Sequence, residues 1–414
     1  MSSAASPSPS PSSADPAAPA RPYIGGQAVL EGVMMRAPTS FAIVVRRRDG
    51  SLHVRERAAT VPTGVARWPL VRGVMSLVES LRLGGEALRF SAEQAEADVT
   101  AAEAEAVAGT SAKTGALSAL TALGYTLFLL ATQDAEAAPA PPAPATPAAP
   151  PAPTTAPAPA PAAAASATNR TGPAIMLAVM VLFMIALPQL VAAIMNRVLH
   201  FDLKVQSPQF QAMTGVFKLA IVIGYMLLIR RVPEIRRVFQ YHGAEHKTIS
   251  TYEAGEALTV ENARKKTTLH PRCGTTFLVM VAIVSVLVFT VLGGLLPQID
   301  TGSKIIDNVL FFVAKLPFVP VLAAITFEIQ RVFARYFTKG PLRVVLVPGF
   351  LVQKITTIEP DDEQLEIALA SLRATLFRER AAAGAAETPA EVDDARFDDY
   401  AAFYATDSLR SPAS

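Results

Sequence analysis

The chain has 414 residues, 51% of them hydrophobic and 17% charged, with a formal net charge of +2. This balance is that of a membrane protein rather than a soluble one, and it gives no reason to expect nucleic acid as a partner. A single cysteine excludes an intrachain disulfide and leaves its thiol for metal, redox chemistry or burial.

Taken in order, residues 1–22 are Ser, Ala and Pro with almost nothing to bury, which predicts a disordered tail and no secretory signal. Residues 23–112 open on Gly25-Gly-Gln-Ala-Val-Leu-Glu-Gly-Val-Met-Met-Arg36, where Gln27 and Glu31 are candidates to back the histidines described below or, on the plainer reading, form the polar face of a short helix. Phe41–Arg48 and Ser51–Arg57 are β-prone runs joined by Asp49-Gly50, a pair suited to a type I′ hairpin turn. Residues 63–90 have helical, amphipathic spacing. Trp68 and three arginines suit a membrane interface, and packing on the hairpin is the plainer alternative. Residues 91–112 read as a solvated helix or linker.

Segment 113–131 contains the uncharged run Ala116–Ala131, barely long enough to span, and 132–172 is an Ala/Pro spacer. Stronger spans follow in two pairs. Ala174–Met195 and Met213–Ile229 lie within 173–232; Thr276–Leu296 and Asn308–Phe327 lie within 275–330. Lys315, inside the last, should face a partner helix or snorkel. Basic residues cluster between the pairs (Arg230, Arg231, Arg236, Arg237, Arg264, Lys265, Lys266) and after the last span. The positive-inside rule then makes the 233–274 loop and the C-terminal region cytoplasmic, in a multi-pass protein of the cell membrane. In the region 331–384, Val344–Val347 reads as a short β-like run stopped by Pro348-Gly349. Glu359-Pro-Asp-Asp-Glu363 then opens a helix. The acidic tail 385–414 is expected to be disordered. The fold class is thus mainly α: a polytopic helical membrane protein with a small N-terminal region containing a β-hairpin and a cytoplasmic helical loop.

That loop carries Phe239-Gln-Tyr-His-Gly-Ala-Glu-His-Lys247, followed by His270-Pro-Arg-Cys273; three of the five histidines lie here. A helix opened by Pro233 and closed by Gly255 sets His242 and His246 four residues apart, on one face. Two imidazoles so placed chelate one ion, and Glu245 in His-x-x-Glu-His is the residue type that takes a proton from water in such sites. His270 or Cys273 supplies a third ligand, with Glu253 a further candidate. Nitrogen and sulfur ligands favour zinc over a hard cation. Gly243 costs about 1 kcal/mol relative to Ala inside a helix, which implies close approach of another segment or a kink.

These motifs, with Gly25–Arg36 and the run Pro348-Gly349, Gln353-Lys-Ile-Thr-Thr357 and Glu359-Pro-Asp-Asp362, resemble the YqhQ-like family. It is a bacterial membrane family of unknown function, also found in chloroplast lineages. The resemblance covers about residues 23–380 apart from the Ala/Pro insertion. It implies a metal-dependent enzyme, an expectation that rests on the same histidines. Two functions follow. One is a membrane-bound zinc hydrolase, with peptidase the leading class, using His242, His246, His270 or Cys273 as ligands and Glu245 as base. The other is a non-enzymatic assembly or translocation factor whose metal or hydrogen bonds pin the loop. Lys315 and the proline-bearing spans motivate a weaker transporter reading. The expected partners are the lipid bilayer and a protein partner or substrate that no motif identifies.

Overall fold

The computed structural model describes residues 21–60, 64, 68–106, 182–296, 298–336, 344, 346–384 and 391–407. Most of residues 1–22, the run Ala116–Ala131 and the Ala/Pro insertion lie outside the described residues. The strands are β1 (Gly25–Val29), β2 (Gly32–Arg36), β3 (Ser40–Arg46), β4 (Leu52–Ala58) and β5 (Val392–Phe397). The helices are α1 (Val71–Ala106), α2 (Leu187–Val198), α3 (Pro208–Ile229), α4 (Pro233–Ala254), α5 (Val260–Arg264) and α6 (Gly274–Leu295). They continue with α7 (Lys304–Lys315), α8 (Val319–Tyr336), α9 (Val347–Thr356), α10 (Asp362–Gly384) and α11 (Tyr400–Asp407). The chain is mainly helical, with a small antiparallel sheet built chiefly from its N-terminal part.

The sheet runs in order β1-β2-β3-β4-β5, with Gly26 opposite Met35, Val33 opposite Val44 and Val44 opposite Val54. Both faces are covered. Ala28, Val33, Met35, Ala42, Val44 and Val54 pack on α4 and α10. Val29, Met34, Phe41, Ile43 and Val45 pack on Leu83, Ala87 and Phe90 of α1. Strands buried on both sides need no alternation of polar and apolar residues, which is why the faces of β3 are obscure in the sequence. The β3–β4 hairpin forms as expected, but its turn is not type I′. That turn needs positive φ at both central residues, and of the pair only Gly50 has it, at +86°. Instead Asp49 Oδ1 accepts from the Ser51 amide at 2.9 Å and the Ser51 hydroxyl at 2.6 Å, closing a longer loop.

Three expectations are corrected. Residues 25–36 form the β1–β2 hairpin and no helix. Its tight turn puts Glu31 at φ +50°. Residues 91–106 take the helical one of the two expected forms, as the continuation of α1. Val344–Val347 is not a strand: Pro348 sits in the first turn of α9, where its missing amide costs nothing. Part of the acidic tail is ordered: β5 pairs with β4, and Phe397, Tyr400 and Phe403 cluster beside it. Its acids have partners, with Asp394 Oδ1 2.8 Å from His53 Nδ1 and Asp393 paired to Arg57.

Among the described residues, three helical stretches are long and apolar enough to cross a membrane: Pro208–Ile229, Gly274–Leu295 and Lys304–Phe333. The last is α7 and α8 joined by a 3-10 turn at Leu316–Phe318. A shorter apolar stretch, Leu182–Val198, begins with a π-helical turn and packs on α3. Bundle helices approach closely at Gly215, where an added Cβ would lie 2.3 Å from Val286 Cγ2. The sheet, α4 and α10 sit at one end of these helices. At the other end the 199–207 and 298–304 segments meet through the Asp202–Lys304 ion pair at 2.6 Å and the Ile299 amide on Gln206 Oε1 at 3.0 Å. Helix α1 joins the two parts. Its Phe90 end lies on the sheet, while Gly73 and Arg72 meet Ala324 and Glu328 of α8 (Arg72 Nε–Glu328 Oε1 2.6 Å).

Candidate metal centre

Helix α4 opens with Pro233 in its first turn and ends at Gly255, whose φ of +73° is the left-handed cap that glycine supplies most cheaply. Its sequence places His242 and His246 one turn apart, with ring centroids separated by 4.4 Å. Cys273, the N-cap of α6, faces them: His242 Nε2 lies 3.2 Å from Cys273 Sγ. The donor atoms of His242, His246 and Cys273 lie within 4.8 Å of one another, and no residue of the three is more than 1% exposed.

The ring tautomers are set by the backbone. His242 Nδ1 is 3.0 Å from the Thr356 carbonyl and His246 Nδ1 is 2.5 Å from the Thr268 carbonyl. A carbonyl only accepts, so each Nδ1 carries the proton and each Nε2 presents its lone pair to the cluster. His246 Nε2 is buried and has no hydrogen-bond partner among the described residues. A buried, unpartnered acceptor of this kind is costly, and a metal ion satisfies it. Burial pushes the pKa of His242 down to about 4, with a smaller contribution from His270, while the Thr356 hydrogen bond opposes the shift. Burial also holds His246 well below the usual imidazole value, aided by His242 and His270. Both rings are therefore neutral near pH 7, the form that ligates. Cys273 Sγ caps α6, 3.4 Å from the Thr275 amide and 3.1 Å from its hydroxyl. The residues present fit a soft or borderline metal.

His270 stands beside the cluster, its ring centroid 5.6 Å from that of His246. Its Nε2 turns to Glu253 Oε2 at 3.4 Å, and Glu253 also pairs with Arg272. Glu253 is thus engaged away from the three converging donors. Glu245 is 1% exposed and lies over β1: a Cβ at Gly26 would come within 2.8 Å of its Cγ and 2.9 Å of its Oε1. Gln27 faces α1 against Gly84, and Glu31 forks with Arg237 at 2.5 Å, so neither backs the histidines.

The surrounding shell comes from α9 and the segment after it. Buried Gln353 accepts from the His270 amide at 2.9 Å and donates to the His270 carbonyl at 2.8 Å and to Thr276 Oγ1 at 2.9 Å. Gln330 of α8 donates to the Cys273 carbonyl at 3.4 Å. Gly243 is explained by close approach: its Cβ would lie 2.1 Å from the Ile358 carbonyl oxygen, and the Ile358 amide donates to Phe239 O at 2.9 Å. Next to it, buried Lys247 pairs with Glu359 and donates to the Arg264 carbonyl at 2.9 Å. Thr268, Thr356 and Gln353 belong to no metal-ligand or catalytic motif in the sequence. The one signal for Gln353 in the sequence is an amide set in the apolar run Phe350-Leu-Val352.

A family model described as a protein of unknown function (DUF1385) matches residues 68–378. The uncharacterised protein YqhQ of Bacillus subtilis (strain 168) is 28% identical over 361 residues, covering 86% of this chain and 92% of that protein. No solved structure matches.

Proposed function

We propose that this chain, which belongs to the DUF1385 family of proteins of unknown function, is a multi-pass membrane protein with a zinc-dependent hydrolytic centre at the cytoplasmic face of the bilayer. The observation that carries this reading is the convergence of His242, His246 and Cys273, three buried donors of nitrogen and sulfur type. Three protein ligands with a fourth position left for water or substrate is the form of catalytic zinc sites, and four protein ligands is the form of structural ones. Bound zinc would supply Lewis-acid polarisation of a carbonyl or phosphoryl group. His242 and His246 would hold it through Nε2, their rings being fixed by the Thr356 and Thr268 carbonyls. Glu245, adjacent to His246 on α4, is the base that accepts the proton of the attacking water. Peptide bonds are the substrate class we favour. The orientation rests on the arginines and lysines at the α3–α4 junction and on the 261–266 segment, at the same end of the bundle as the sheet.

The test is zinc content of the detergent-purified full-length protein. We expect about one zinc per chain, lost in the His242→Ala/His246→Ala double variant. Glu245→Gln should keep zinc and lose cleavage of quenched fluorescent peptides; loss of zinc instead would make Glu245 a ligand. Wild-type protein that neither holds zinc nor regains it would overturn the proposal.

A second reading has its own observation. Two donors lie on α4, beneath the sheet, and the third caps the first turn of an apolar helix long enough to cross a membrane. Metal there would clamp the two parts together without catalysis. X-ray absorption that finds four protein ligands, with His270 the fourth, would favour the clamp.

A further inference from the structure

Within the helical bundle two lysines line one small cavity. Lys218 of α3 and Lys315 at the end of α7 are 6% and 1% exposed. The cavity, of about 10 Å³, is lined also by Gln211, Thr214, Ser285 and Phe289. Lys218 Nζ donates to Ser285 Oγ at 2.7 Å, and the Ser285 hydroxyl donates onward to the Ala282 carbonyl at 2.7 Å. Lys315 Nζ donates to Gln189 Oε1 at 2.8 Å and Gln211 Oε1 at 3.2 Å, and lies 4.5 Å and 5.0 Å from the ring centres of Phe311 and Phe289. Every one of these partners is neutral. Among the described residues, no carboxylate pairs with either lysine.

Two ammonium groups buried together without a counter-charge are costly, and ionisable groups in apolar helices mark functional sites. An ammonium has three donors, so Lys218 keeps donors to spare beyond its bond to Ser285. The backbone is irregular on both sides: the π-turn Leu182–Ala186 contributes Ile185 to the lining, and the 3-10 turn at Leu316–Phe318 follows Lys315 directly. Irregular backbone inside an apolar bundle is tolerated where it lines a cavity. The space is small, so a monatomic anion needs only a slight outward shift of the flexible lysine side chains, whereas a tetrahedral oxyanion needs a much larger one.

We propose that this cavity is an intramembrane binding site for a small inorganic anion of the halide class, held between Lys218 and Lys315. It is independent of the metal centre, and it requires only that the bundle fold as described. The experiment uses full-length protein in lipid nanodiscs, in gluconate buffer of constant ionic strength, titrated with radiolabelled chloride. Saturable retention is expected, displaced by bromide and not by sulfate. Lys218→Met and Lys315→Met should each weaken it about tenfold or more, since each removes a charge-assisted donor. Ser285→Ala keeps both charges and should weaken it by less than either, with size-exclusion behaviour unchanged. Absence of saturable retention by the wild type overturns the proposal. Binding that sulfate displaces as well as bromide does, or that neither lysine substitution alters, overturns it too.

Discussion

At Gly243 a single hydrogen decides whether α4 can carry its histidines. The atom an added Cβ would strike is the Ile358 backbone oxygen, which a side-chain rotation cannot move aside. Gly243→Ala should therefore cost about 1–3 kcal/mol, as over-packing does, and should lower zinc content by shifting Thr356 away from His242. Thermal denaturation and metal analysis of one preparation check both; an unchanged midpoint would contradict the contact. His242 sets a pH dependence. Its pKa is about 4 in the fold against an ordinary 6.5, so between these values the unfolded chain binds the extra proton. The stability that neutral His242 contributes is complete above about pH 6.5 and is lost as pH falls toward 4. Denaturant titration of zinc-free protein at pH 7.5 and pH 5 should give lower stability at the acid value. The histidines, Cys273, Gly243 and Gly255 were legible because their chemistry is local to α4 and the turn before α6. Gln353 was not, since what it holds, His270 and Thr276, is distant in the chain.

Helix α9 shows how a contact overrides a local signal. Pro348-Gly349 reads as the stop of a strand, yet Pro348 starts the helix, and Gly349 sits where a Cβ would come within 2.6 Å of Thr276 Cγ2. Gln353→Ala would leave the His270 amide and carbonyl and the Thr276 hydroxyl without this partner. A loss of about 1–3 kcal/mol or more is expected, together with weaker zinc binding. Conservation of both midpoint and metal would mean that α9 does not support the site. Helix α10, by contrast, follows its local signal closely, opening at Asp362 within the expected Glu359–Glu363 run. Asp361 Oδ1 accepts from the Gln364 amide at 2.9 Å and Gln364 Oε1 from the Asp361 amide at 3.0 Å, a reciprocal cap encoded within one helical turn. Strand β5 was missed because acids in a terminal segment read as solvated, and their partners Arg57 and His53 are encoded far away. Truncation after residue 384 should leave the β4 edge open and drive self-association, detectable by light scattering.

Over the whole molecule, the apolar helices alternate in direction between two ends. One holds the sheet and the cluster; the other holds the connections tied by Asp202 and Lys304. The sheet, the histidines and helices α9 and α10 share one end of these helices. A reporter fused at residue 258 should be active only if it works in the cytoplasm, and one at residue 300 only if it works outside; the opposite pattern would reverse the orientation. The exposed apolar residues at the start of α1, Trp68, Leu70, Met75 and Val78, lie where this helix meets α8, a place suited to the head-group layer. The pairing of β5 with β4 also orders events during synthesis. Strands β1–β4 leave the ribosome early, but β5 is made only after the three long apolar helical stretches. At roughly 5–20 residues per second, β4 waits on the order of tens of seconds for its neighbour. The half-built sheet is therefore a nascent-chain intermediate with an open edge, and a chaperone or the insertion machinery has that interval in which to shield it.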